Sequence, residues 1–140
     1  MQDNQVDWII LDHPADVMVE VFGSTFEGLC QASVSALNHF LGVVLSVEPV
    51  RCERMQIEGA TAEEKLVNVL RESLFLFAVD SQLVTKLAIS CLKDNIMTVD
   101  ACLSPAGLGP DSIEIKGVTY HGLKVETTAC GYKAKLIFDV

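Results

Sequence analysis

Two acidic motifs stand near the extremities of the chain. Asp12-His13-Pro14-Ala15-Asp16 follows an early apolar run, and a late apolar run stops at Phe138-Asp139-Val140. Carboxylates are hard oxygen donors of the kind that hold calcium or magnesium. If the two strands end side by side, Asp16, Asp139 and the terminal carboxylate at Val140 meet in one acidic pocket. A divalent ion held by Asp12, His13 and Asp16 is also able to generate a hydroxide nucleophile. A small metal-dependent phosphoesterase is therefore one reading of these residues. A chaperone-like interaction module with no metal site is another.

A third group lies between Ile113 and Val125. Ile113 and Ile115 share one phase of alternation, Val118 and Tyr120 the other, and Leu123 and Val125 return to the first. A one-residue slip turns every following side chain to the opposite face of a sheet. The slips fall at Lys116-Gly117 and His121-Gly122, where glycine favours a bulge. Bulges re-aim side chains, so Lys116 and His121 are candidates for the same pocket. The plainer alternative is a bending sheet with Lys116 merely solvated.

The elements that must position these residues follow from hydrophobic period. Trp8 to Leu11 is a short apolar strand, and Asp16 to Phe22 alternates as a half-buried one. Ser24-Thr25-Phe26-Glu27 reads as a capping box with Ser24 as N-cap. The helix it opens carries Phe26, Leu29, Cys30, Ser33, Leu37, Phe40 and Leu41 and stops at Gly42. Val43 to Pro49 is a connection, and Arg51 to Glu58 is a strand. Thr61-Ala62-Glu63-Glu64 opens a second, broadly apolar helix. From Thr85 the period is two: a strand with Leu87, Ile89 and Cys91 on one face, a turn at Lys93-Asp94-Asn95, then Met97 to Ala101. Ser104 to Asp111 is a loop rich in Gly and Pro. Ile113 to Glu126 reads as one long strand, Ala129 to Tyr132 as a hairpin, and Lys133 to Val140 as the last strand. The class is α+β: one domain over 1–140, with two helices on one face of a largely antiparallel sheet.

Composition excludes some functions. The 140 residues are half hydrophobic, enough for a sizeable core, and the net charge is −9. Direct nucleic-acid binding needs Lys and Arg to neutralise phosphates, so a cation or a basic protein partner fits better. The five cysteines are scattered without a CxxC pair, which points to reduced core cysteines in a cytoplasmic protein rather than a zinc site. Met1 to Asp7 is polar and does not read as a signal peptide. No apolar stretch is long enough to span a membrane, and no Ser-His-Asp order, P-loop or glycine-rich phosphate fingerprint appears.

At these residues the chain resembles the archease family. Asp12-His13-Pro14-Ala15-Asp16-Val17 is similar to its His-Thr-Ala-Asp signature. Ile115-Lys116-Gly117-Val118-Thr119-Tyr120-His121 is similar to its Ile-Lys-Ala-Val-Thr-Tyr-His block. Leu70-Arg71-Glu72-Ser73-Leu74-Phe75 resembles its second helix, and Ile137-Phe138-Asp139-Val140 its acidic, apolar-ending C-terminus. The resemblance implies a non-catalytic protein cofactor of the RtcB-type RNA ligase, which promotes guanylylation and multiple turnover in tRNA splicing and RNA repair. It also implies a divalent cation, typically calcium, on Asp16 and Asp139, with Lys116 as the lysine of the block. Pro14, Met18 and Gly117 depart from the family pattern, which usually has Thr, a small residue and Ala.

Overall fold

The structure, a computed structural model, describes residues 7–11, 16–45, 51–120 and 122–140. Its elements in chain order are β1 (Trp8–Leu11), β2 (Val17–Gly23), α1 (Phe26–Leu41), β3 (Val43–Leu45), β4 (Arg51–Glu58), α2 (Ala62–Asp80), β5 (Gln82–Lys93), β6 (Ile96–Leu108), β7 (Gly117–Thr119), β8 (Val125–Thr128) and β9 (Gly131–Asp139). The α+β class holds, and every strand pairing among the described residues is antiparallel. The strands divide between two sheets. One runs β1-β2-β9-β7 with β8 also on β9; the other holds β3, β4 and β5 around the long β6. Both helices contact both sheets, so one core is shared among Val19, Leu29, Leu37, Leu66, Leu70, Met97, Leu103 and Phe138, all fully buried.

The helix ends follow capping chemistry, with one shift. Thr25, not Ser24, is the N-cap of α1. Its backbone is extended and its hydroxyl accepts the Gly28 N–H at 3.0 Å. Glu27 is consequently not used in a capping box. Its carboxylate instead accepts the Ile89 N–H at 2.7 Å. Thr61 caps α2 by accepting the Glu64 N–H, and the Glu64 carboxylate reaches back to the Ala60 N–H. Gly42 closes α1 with φ +59°, and Ser81 closes α2 in the same left-handed region, where a side chain is normally disfavoured.

Three sequence expectations change in the sheets. Val43–Leu45 forms β3, and β6 continues through Pro105 to Leu108 where the composition suggests a loop. The partners decide this: β3 pairs with Ala106 to Leu108, and Gln82 pairs with Pro105. The stretch from Ile113 to Glu126 is not one strand. β7 spans only Gly117–Thr119 and β8 starts at Val125, so the first phase slip marks the start of β7, while the second includes His121, outside the described residues. The bulges lie instead in β5, at Val84/Lys86 and Ile89/Cys91. There the hydroxyls of Thr85 and Ser90 donate to the Cys102 and Thr98 carbonyls of β6. The second bulge turns Cys91 outward. Of the five cysteines only Cys30 is buried; Cys52, Cys91 and Cys130 are exposed and Cys102 is half-buried. Core packing therefore does not account for four of them.

Candidate functional site

Asp139 lies where three strands of the first sheet converge. β9 is buried on one face through Ala134, Leu136 and Phe138, and the period of two puts Asp139 on the other. On one side β9 pairs with β2, with Val17 opposite Phe138. Asp16 directly precedes β2, at the same end of the sheet as Asp139.

On the other side β9 pairs with β7, with Gly117 opposite Asp139. The Lys116 N–H also donates to the Asp139 carbonyl at 2.7 Å. Asp139 is thus tied through its backbone to the first residue of β7 and to the residue before it. Thr119, two residues on and on the same face as Gly117, donates its hydroxyl to Asp139 Oδ1 at 2.8 Å. This bond orients the carboxylate. Asp139 Oδ2 lies on the Gly117 side, 3.5 Å from where a Cβ on that glycine would stand. An alanine there fits without strain, so Gly117 leaves this side of the carboxylate open rather than meeting a backbone requirement.

A cleft of about 450 Å³ opens from Asp139 toward α2. Lys116, Gly117 and Asp139 line one wall, and Arg71, Leu74 and Phe75 the other. Arg71 is held by its Nη2 donating to the Val118 carbonyl at 3.3 Å. The cleft thus carries one carboxylate and two cationic side chains, and Lys116 is exposed at its mouth. Beyond it, α2 presents Phe75 (55% exposed), Ala78 and Val79 (61% exposed) on one stripe. Apolar side chains grouped on an exposed helix face mark interaction surfaces more often than scattered ones do.

The sequence-derived candidates fall into three sets. Asp16, Asp139 and Lys116 are brought to one strand-end region. Val140 follows Asp139 beyond the end of β9 and is 42% exposed. Asp12, His13 and His121 lie outside the described residues. Among the described residues, no three His, Cys, Asp or Glu side chains form a metal-holding group. The donors present, Asp16 and Asp139, are hard oxygens, which fit calcium or magnesium and not a soft metal. Two contributors were missed in the sequence. Thr119 was legible, because it shares the alternation phase of Gly117. Arg71 was not, because only the packing of α2 beside β7 brings it there.

Comparison with known proteins settles the family. The model of the Archease protein family (MTH1598/TM1083) matches residues 8–140. The chain belongs to the archease family. Among curated relatives, protein archease of Thermoplasma acidophilum is 33% identical over 143 residues, covering 99% of this chain and 97% of that one. The solution structure of Methanobacterium thermoautotrophicum protein 1598 superimposes with a TM-score of 0.73 at 18% identity, covering 96% and 99% of the two chains. The crystal structure of a Thermotoga maritima protein, described as an archease and possible chaperone, gives 0.71 at 20% identity over 100% and 98%. At those identities the two structures establish a shared archease fold. No helix among the described residues is long and apolar enough to cross a membrane.

Proposed function

We propose that this archease is a non-catalytic activator of an RtcB-type RNA ligase, promoting its guanylylation and multiple turnover with a divalent cation, calcium or magnesium, held by Asp16 and Asp139. The observation that carries the reading is the position of Asp139. It pairs with β7, directly follows Phe138, which pairs with Val17 of β2, and shares a cleft with Lys116 and Arg71. Thr119 fixes the orientation of its carboxylate. A cation bound by these carboxylates adds positive charge where a nucleotide phosphate is to be met. Lys116 is a compact point charge suited to the same phosphate. The exposed stripe of Phe75, Ala78 and Val79 beside the cleft suits a protein partner, and the net charge of −9 favours a basic one by electrostatic steering. The same charge disfavours direct binding to RNA.

The test is guanylylation of the cognate ligase with sub-stoichiometric amounts of this protein. The parent chain accelerates formation of the ligase–guanylate adduct and restores repeated turnover. Asp139→Ala and Lys116→Ala remain folded and do neither. Calcium at a hundredfold excess over Kd stabilises the parent by about 2.7 kcal/mol, and Asp16→Ala or Asp139→Ala abolishes the response. A parent chain without effect on the ligase overturns the activator reading. Phosphate-ester hydrolysis by the purified chain with magnesium, lost in Asp12→Ala, establishes the phosphoesterase instead. A chain that suppresses aggregation of client proteins and does not respond to calcium is a chaperone-like module.

A further inference from the structure

The second sheet carries a pair of thiols that the cation site does not use. Cys52 on β4 and Cys102 on β6 are direct cross-strand partners, with sulfurs 3.8 Å apart. Both point to the outer face of the sheet, since the core face of β6 is taken by Met97, Val99, Ala101 and Leu103. Two residues along the same face, Arg54 donates to Asp100 at 2.8 Å and keeps the strands in register. The other cysteines lie elsewhere: Cys30 is buried in α1, Cys91 sits on β5 past its second bulge, and Cys130 is in the β8–β9 turn.

We infer that Cys52 and Cys102 are a redox modification site, a dithiol that closes reversibly into a cross-strand disulfide joining β4 to β6. Directly opposed strand residues have Cα atoms about 4.5–5.5 Å apart, inside the range a disulfide accepts. Closure brings the sulfurs to about 2.05 Å by rotating side chains while the backbone pairing stays. Opposed Cβ atoms sit at about 4.5–5.5 Å, at or beyond the upper end of the range for a relaxed disulfide. The bond is therefore strained and open to reduction, which makes it a switch rather than a permanent staple.

The chemistry balances with a low-molecular-weight disulfide such as oxidised glutathione as the oxidant. The thiolate of Cys52, the more exposed of the two, attacks one glutathione sulfur. A mixed disulfide forms at Cys52 and one glutathione thiolate leaves. The Cys102 thiolate then attacks the Cys52 sulfur, forming the Cys52–Cys102 bond and expelling the second glutathione. The two thiols lose two protons and two electrons, and the glutathione disulfide becomes two thiols. The hydrogen bond to Cys102 holds the Cys52 thiol above its usual range, so closure accelerates at alkaline pH. Burial, with a smaller contribution from Glu27, pushes the Cys30 thiol to about 12 and keeps it out of the exchange.

The experiment equilibrates the full chain in glutathione buffers of increasing oxidation, quenches with acid, blocks free thiols in denaturant and maps tryptic peptides. Cleavage after Arg and Lys places the five cysteines on five different peptides. The expected product is the parent mass less two hydrogens, with the peptide of Cys52 joined to that of Cys102, and full reversal by dithiothreitol. Cys102→Ser accumulates the glutathione adduct on Cys52, which the parent resolves. Cys91→Ser/Cys130→Ser closes the bond like the parent. A parent that retains glutathione on Cys52, or links through Cys91 or Cys130 instead, overturns the inference.

Discussion

The two helices divide the work of the molecule. α1 uses its polar side chains internally. Glu27 and Gln31 accept the Ile89 and Leu87 N–H groups, and the Asn38 amide donates to the Val84 carbonyl. These three residues run along one face of the helix and cover the edge of β5 that β6 does not pair, which answers the usual hazard of an open strand edge. α2 makes three such bonds too, but spread over three strands: Glu63 accepts the Val125 N–H of β8, Asn68 donates to the Glu58 carbonyl of β4, and Arg71 to the Val118 carbonyl of β7. Its last turns are open on one face, with Phe75, Ala78 and Val79 exposed to solvent beside the cleft. Two amphipathic helices of similar length thus serve different ends. One completes the fold; the other leaves side chains for contact beside the candidate site.

The largest effect that tests this division is in the core of α1. Leu37 is fully buried, and Leu37→Ala costs about 2–5 kcal/mol, read from the urea midpoint. Phe75→Ala on the open face of α2 stays within about 0.5 kcal/mol while reducing stimulation of the ligase. A destabilisation at Phe75 matching that at Leu37 ends the distinction. Next comes the covered edge. Gln31→Ala strands the Leu87 N–H in a half-buried place and costs about 1–3 kcal/mol, together with faster hydrogen exchange of that amide. If exchange does not change, α1 does not seal β5.

Smaller effects probe the site and the outer sheet. Gly117 does not have positive φ, and its added Cβ meets Asp139 Oδ2 only at van der Waals distance. Gly117→Ala therefore stabilises by about 0.4–1 kcal/mol through the unfolded chain. A loss of stability places an unrecognised backbone demand at the cleft. The smallest effect is electrostatic. Arg54 holds the exposed Asp100 carboxyl below its ordinary value of 3.8. The unfolded state thus binds the proton more readily, so this contribution is present above pH 3.8 and fades as pH falls through the lower folded value. Acid titration of Asp100→Asn should lack that component of the parent curve.

Much of the fold was legible in the sequence because its signals are local. The Gly42 stop, the Thr61 cap, the Asp94-Asn95 turn and the alternation of Val17, Val19 and Val21 each depend on a few adjacent residues. The same is true of β9, whose period of two placed Asp139 on the face opposite Phe138. Where pairing partners intervene, local signals misled. Composition made Ser104 to Leu108 a loop, yet β3 and Gln82 hold it as strand. A phase slip suggested one bent strand from Ile113, yet the slip at Lys116-Gly117 marks the entry of β7.

The sequence by itself determined the residue types available for chemistry, the α+β class, and the strand face of Asp139, since these follow from side-chain chemistry and periods of 2 and 3.6. Only the tertiary structure decided which groups meet. The register of β7 on β9 sets Asp139 beside Gly117, Lys116 and Thr119, with Val17 of β2 opposite the preceding Phe138. The docking of α2 brings Arg71 to the cleft, and the register of β4 on β6 pairs Cys52 with Cys102 across 50 positions. Register is a long-range quantity, fixed by burying one face of every strand at once, and no local run of residues contains it.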